Sequence, residues 1–248
     1  MSKQRLQKLL AHAGYGSRRQ IEDMIRAGRL LLNGRPAQLG DRAASTDDVR
    51  LDGRRLNLAG RAQVKCRVLA YKKHVDQVVT RRDPQGRPTV FRKLPRLAAG
   101  RWLAIGRLDV NTSGLLLMTT DGELKRRLEH PRYGIEREYA ARVRGTVDQA
   151  MLKRLVTGVE LEDGKARFEQ VTEHDDATRG NRWFHVTVRQ GRKRVVRRLW
   201  ASQGVTVSRL IRVRYGPVTL PSGVKAGQAR ELSAAEVREL AALVGLRR

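Results

Sequence analysis

The nine residues Gly106-Arg107-Leu108-Asp109-Val110-Asn111-Thr112-Ser113-Gly114 set a polar loop between two apolar runs, Leu103–Ile105 and Leu115–Met118. They carry one acid, Asp109, two residues from Arg107 and bounded by glycines. A strand leading in and a strand leading out would hold that carboxylate on a rigid edge, aimed at a ligand. Other readings of the same residues stay open. Asp-x-Asn-x-Ser-Gly copies the start of a calcium loop, but the twelfth position, where a bidentate acid belongs, is Thr120. The residues also suit an Asx-turn between strands, and Asp109 could simply hold an arginine in a buried pair.

The elements that must position this loop belong to a chain of 248 residues with 52 Lys and Arg against 25 Asp and Glu, a net charge of +27. Such a charge destabilises a compact state unless a polyanion neutralises it. With 40% hydrophobic residues the chain has enough apolar side chains for a folded core. The charge is uneven: residues 177–230 hold 13 basic residues and no acid. They are interleaved with Val186, Val188, Val195, Val196, Leu199, Trp200, Val205, Val207, Leu210, Ile211 and Val213, so this basic stretch packs, leaving a charged face suited to phosphates. No apolar run approaches the roughly 20 residues of a spanning helix, and none follows the first basic residues as a secretory leader would. The single cysteine, Cys66, excludes an intrachain disulfide and a multi-cysteine zinc site. His12, His74, His130, His174 and His185 are scattered. A cytoplasmic protein with a nucleic-acid partner and no membrane is expected.

Leu6, Leu9, Leu10 and Ala13 share one helical face. Ser17 and Gln20 can form a capping box for a second helix with Ile21, Met24 and Ile25 buried. A strand at Leu30–Leu32 turns at Asn33-Gly34, and a second tight turn is expected at Asp52-Gly53. These elements make a compact basic module of about 60 residues, with Arg18, Arg19, Arg26 and Arg29 on or near its second helix. Residues 57–64 form a weak boundary. Beyond it, strands are expected at Val68–Tyr71, Val78–Thr80, Leu103–Ile105, Leu115–Thr119, Tyr139–Val143, Arg167–Val171, Trp183–Val188 and Leu210–Arg214. Helices are expected at Glu123–Leu128, Val147–Leu155, Arg194–Ser202 and Ala234–Leu243. The mixture predicts an α+β chain: a small N-terminal domain at 1–62, and at 63–248 a domain on a mixed, mainly antiparallel β-sheet with flanking helices.

The run RLQKLLAHAGYGSRRQIEDMIRAGRLLLNGR resembles the S4 RNA-binding domain, and GRLDVNTSGLLLMTTDGEL resembles the catalytic motif of RNA pseudouridine synthases. Further segments match the S4-containing branch that modifies ribosomal RNA: TRRDPQGRPTVFRKLP (80–95), HPRYGIEREYAARVRG (130–145) and GRKRVVRRLWASQGVTVSRLIRVRYGPVTL (191–220). The segment GVELEDGKARF (158–168) is most similar to the branch members that act on large-subunit RNA.

The resemblance implies an isomerase that breaks the N-glycosidic bond of a chosen uridine, rotates the base and rejoins it through C5. It implies a catalytic role for Asp109, a stacking role beneath an extruded uracil for Tyr139, and an arginine partner to the aspartate at Arg197. Leu210 would lie against the base, and Arg107, Arg192, Arg194, Arg198, Arg18, Arg19 and Arg26 would contact RNA. Arg198 is implied to be free for packing or phosphate. No cofactor and no metal are implied, ribosomal RNA is the expected partner, and a monomer is assumed. Two departures touch loop geometry: Lys72-Lys73-His74-Val75-Asp76 replaces the family's usual Asn-Lys-Pro-x-Gly, and Lys193, Val195 and Val196 alter the C-terminal motif. The competing reading is a non-catalytic RNA-binding factor for ribosome assembly. An anionic-membrane binder ranks last, because residues 234–243 carry Glu236 and Glu239 and little positive charge.

Overall fold

The computed structural model describes residues 3–58, 65–178 and 181–248, with backbone alone at 175–178 and 181. They form two compact units. One holds the residues up to Cys66 together with Pro95–Leu103 and Thr120–Gly122; the other holds Arg67–Leu94, Ala104–Thr119 and Glu123–Arg248. The boundary expected at 62/63 falls within 59–64, outside the described residues.

In the first unit, β1 (Gln4–Arg5) leads into α1 (Leu6–His12), where Leu6, Leu9 and Leu10 are buried on the face their spacing predicts. Ser17 caps α2 (Arg18–Arg26). Its hydroxyl accepts from the Gln20 N–H at 3.1 Å, and the Gln20 side chain accepts from the Ser17 N–H at 2.8 Å. Ile21 and Ile25 enter the core beside Leu30 and Leu32. The strands β2 (Leu30–Leu32), β3 (Arg35–Pro36), β5 (Val49–Leu51) and β6 (Arg54–Arg55) pair in the order β3-β2-β5-β6, while β1 pairs with β4 (Arg42–Ala43). Positive φ at Asn33, Gly34, Asp52 and Gly53 supplies the two tight turns. The sheet exceeds the hairpin read from sequence because β3 and β6 are two-residue strands, too short to show alternation.

A nine-stranded sheet dominates the second unit. Its main path is β11 (Gln170–Thr178), β12 (Asn181–Val188), β10 (Arg137–Arg144), β13 (Thr206–Tyr215), β9 (Ser113–Thr119), β7 (Val68–Lys73) and β15 (Ala229–Glu231). β8 (Leu103–Ile105) pairs with β9, and β14 (Val218–Thr219) pairs with β13. The β9–β13 pair is parallel; β10–β12, β10–β13, β11–β12, β7–β9 and β7–β15 are antiparallel. The helices are α3 (Gly122–Glu129), α4 (Gln149–Thr157), α5 (Val195–Ala201) and α6 (Ala234–Ala242). Phe184, Val186, Ala141 and Leu210 line one face of the β10–β13 half, and α4 and α5 cover it with Met151, Leu155, Val196, Leu199 and Trp200.

Two strand expectations need correction. Val78–Thr80 contributes only a single bridge, Val78 to Thr89. The strand expected at Arg167–Val171 starts at Gln170 and runs to Thr178, because Ala166 bridges back to Val159 before it begins. β15 escaped notice because Ala-Arg-Glu has no apolar alternation.

Gly114 makes the parallel pair possible. Its φ is +100°, and an added Cβ would fall 2.7 Å from the Arg212 nitrogen and closer still to the Arg212 carbonyl oxygen. Both obstacles are backbone, which cannot swing aside. Gly114→Ala is therefore expected to lower stability by about 3 kcal/mol or more, read as a shifted denaturant midpoint. A loss under about 1 kcal/mol would show that β9 and β13 separate easily.

Candidate active site

The loop carrying Asp109 is built from both ends. Before it, the Gly106 N–H donates to Glu129 on α3 at 2.6 Å, and Leu108 is buried. After it, Gly114 admits the backbone of Arg212. Between them the Thr112 N–H donates to the Asp109 carbonyl at 3.0 Å, closing a turn. Asp109 itself is half-buried.

Two cationic side chains hold the loop's carbonyls. Lys73, at the end of β7, is 1% exposed, and its Nζ donates to the carbonyls of Thr112 at 2.8 Å, His74 at 3.0 Å and Val110 at 3.3 Å. All three protons of an ammonium group thus find acceptors. Burial lowers the Lys73 pKa to about 8, against the opposing pull of the Asp109 and Asp76 carboxylates. Arg197, on α5, donates to the Val207 carbonyl at 2.6 Å and to the Asn111 carbonyl at 3.0 Å. Its pKa is lowered by burial and by Arg194, while Asp109 acts in the opposite sense. Arg197 and Asp109 therefore interact through space; no direct ion pair joins them among the described residues. No hydrogen bond or ion pair engages the Asp109 carboxylate there either.

The other candidate residues divide into those near the loop and those occupied elsewhere. Tyr139 on β10 is half-buried against the apolar cluster that contains Leu210, which is 5% exposed. β10 and β13 bring these two to one face, with Ala141 opposite Leu210 and Tyr139 opposite Arg212. Arg194 is exposed in a left-handed conformation at the start of α5, and Arg107 is exposed. Arg198 is not free: it pairs with Asp163 and donates to the Lys193 carbonyl at 3.2 Å. Arg192 donates to the Gly164 carbonyl at 2.7 Å and to that of Lys165 at 3.1 Å. These two arginines pin the turn at Asp163 against the segment entering α5. Arg18 and Arg19 are exposed on α2, and Arg26 pairs with Asp23 at 2.8 Å.

Sequence reasoning gave no role to Lys73 or Arg212. Arg212 is 2% exposed, and its Nε donates to the Leu115 carbonyl at 2.7 Å. The signals for Lys73 were its coincidence with the lysine of the Asn-Lys-Pro-x-Gly loop and its place at the end of an apolar strand. Among the described residues no cluster of side chains suits a metal ion.

The fold and the site define an RNA-modifying enzyme. Residues 67–202 match the RNA pseudouridylate synthase family and residues 4–49 match the S4 domain; the chain belongs to this synthase family and is a pseudouridine synthase. Its relatives include Ribosomal large subunit pseudouridine synthase B of Escherichia coli K12, 52% identical over 98% of this chain and 84% of the relative. The protein of the same name from Haemophilus influenzae is 53% identical over 98% of this chain and 68% of its own length. That from Pseudomonas aeruginosa is 50% identical over 98% and 63%. A crystal structure of a pseudouridylate synthase shares the fold, with a TM-score of 0.65 at 24% identity over 95% of this chain and 99% of that one.

Lys73→Met would leave the buried Thr112 carbonyl and the His74 carbonyl without this donor, while the Val110 carbonyl keeps the Asp76 N–H, at an expected cost of about 2–4 kcal/mol, read by denaturant unfolding. The pH dependence carries a second signature. Between about 8 and the ordinary lysine value of 10.5 the folded protein binds fewer protons at Lys73 than the unfolded chain, so this group makes stability rise with pH. The methionine variant should lack that contribution. Equal slopes in the two proteins would show that Lys73 titrates normally.

Proposed function

We propose that the protein converts a specific uridine of ribosomal RNA, in the large subunit, to pseudouridine, with Asp109 as the catalytic carboxylate. The observation that carries the role of Asp109 is its geometry: a half-buried carboxylate with no hydrogen-bond or ion-pair partner among the described residues, on a loop whose carbonyls are held by Lys73 and Arg197. A carboxylate already committed to an ion pair would have to break it before meeting a substrate. The relatives' names support the ribosomal substrate.

In the reaction the bond between C1′ and N1 breaks, the uracil turns, and a bond forms between C1′ and C5. The proton on C5 is lost and N1 gains one, so nothing is oxidised or reduced. Asp109 meets the sugar or the base while the glycosidic bond is open. Tyr139 stacks against the extruded uracil, with Leu210 on the same side of the sheet. Arg197 acts by position, holding the Asn111 carbonyl and placing positive charge near Asp109. Exposed Arg107 and Arg194 meet phosphates near the site; Arg192 and Arg198 present the Asp163 turn. The chain divides at about residue 62 into an S4 domain, whose Arg18, Arg19 and Arg26 add phosphate contacts, and the synthase domain. The working compartment is the cytoplasm.

Asp109→Asn keeps the shape of the side chain and removes its charge. Pseudouridine formation on ribosomal RNA should fall by at least about a thousandfold, while RNA affinity stays within about twofold. A rate within about tenfold of the unsubstituted enzyme would end the assignment. Arg197→Ala removes a loop anchor and should lower single-turnover rate by about a hundredfold. Arg198→Ala, which releases the exposed Asp163 turn and the Lys193 carbonyl, should lower it by less than about tenfold. The reverse order would exchange their roles.

A further inference from the structure

The β10–β13 half of the large sheet has a second face. The first is filled by α4 and α5. On the second, strand register lays His174, Trp183, Arg142 and Arg209 side by side across β11, β12, β10 and β13. The next row places His185 beside Ala140, and the His174 and His185 rings stack with centroids 5.7 Å apart. Arg144, two residues beyond Arg142, points to the same face, as alternation requires. His174, Arg144 and Arg209 are exposed; Trp183, His185 and Arg142 are half-buried.

Three features set this face apart from an ordinary solvated sheet. Arg142, Arg144 and Arg209 have no carboxylate partner among the described residues, whereas Arg182, Arg189, Arg198 and Arg214 of the same unit are all paired. Glu138, the carboxylate described on these rows, is already held by Arg214 at 2.9 Å and by His185 at 2.8 Å. Trp183 is the tryptophan left accessible: Trp102 and Trp200 are 5% and 0% exposed. Its indole N–H has no hydrogen-bond partner among the described residues.

We propose that this face is a second RNA-binding surface, on the side of the sheet opposite Tyr139 and α5, which takes a single-stranded or looped part of the substrate RNA. Flat rings beside unpaired guanidinium groups match a base stacked on an aromatic surface with its phosphates on arginine. The charge selects the occupant. A second copy related by a two-fold axis would bring the same arginines against one another. An acidic protein segment would satisfy the arginines but leave no use for the rings. The proposal rests on RNA being the substrate, but not on the role of Asp109.

The probe is a 20-nucleotide uridine strand with full-length protein, followed by tryptophan fluorescence. Strand binding should protect Trp183 from acrylamide quenching, equally in Asp109→Asn, and Trp183→Phe should remove the protected signal. The double variant Arg142→Ala/Arg209→Ala should bind the strand about tenfold more weakly and reduce the slope of log affinity against log salt by about 1.4, two single-strand phosphate contacts. Its turnover of saturating ribosomal RNA should stay within about twofold. Arg142→Lys/Arg209→Lys keeps the charge, so it should retain the slope, and circular dichroism of each variant checks folding. Unchanged affinity and slope in a folded alanine variant would overturn the proposal. So would protection of Trp183 by polyglutamate but not by RNA, which would assign the face to an acidic protein. Loss of turnover in Asp109→Asn with Trp183 protection intact tests the catalytic reading separately.

Discussion

The seating of one loop by cations bound to its carbonyls is the constraint on which the catalytic unit depends. Backbone carbonyls in a half-buried loop need donors, and neither a helix nor a sheet ladder supplies them there. Lys73 reaches in from β7 and Arg197 from α5. Two elements far apart in sequence thus converge on residues 110–112. Burying an ammonium group is costly, and its lowered pKa reflects that cost. Three acceptors offset it, and two of them, the Val110 and Thr112 carbonyls, tie the loop to the end of β7.

The same arrangement leaves Asp109 uncommitted. Had Arg197 closed a direct ion pair, the carboxylate oxygens would have been occupied by a neighbour. Binding the guanidinium to carbonyls keeps its charge nearby without occupying the oxygens. The parallel approach of β9 and β13 at Gly114 then sets where the loop can run. A side chain at that position would push apart the strands that carry Leu210 and the end of the loop.

Charge is divided in the same way across the chain. With a net charge of +27, many arginines are nevertheless spent internally, as Arg192 and Arg198 are on the Asp163 turn and Arg214 is between Glu136 and Glu138. Those without a carboxylate partner among the described residues gather on particular surfaces, among them α2 and the open face of β10–β13. Net charge alone pointed to a polyanion; only the pairing pattern distinguishes the arginines available to one.

Much of the architecture was legible in local pattern. The capping box at Ser17, the tight turns at Asn33-Gly34 and Asp52-Gly53, and the strands around Leu69, Leu116 and Val186 follow from residue types a few positions apart, because caps, turns and alternation are short-range physics. The Gly106–Gly114 loop was conspicuous for the same reason, and its resemblance supplied the family that the matches establish. Tertiary structure decided what short-range physics cannot reach. It turned Lys73 inward onto carbonyls nearly forty residues away, set Arg212 against Leu115, and gave Arg198 to Asp163 instead of leaving it free. It also laid Trp183 beside Arg142 and Arg209. Each depends on which strands pair and in what register, and register is settled by the whole sheet burying one face at once.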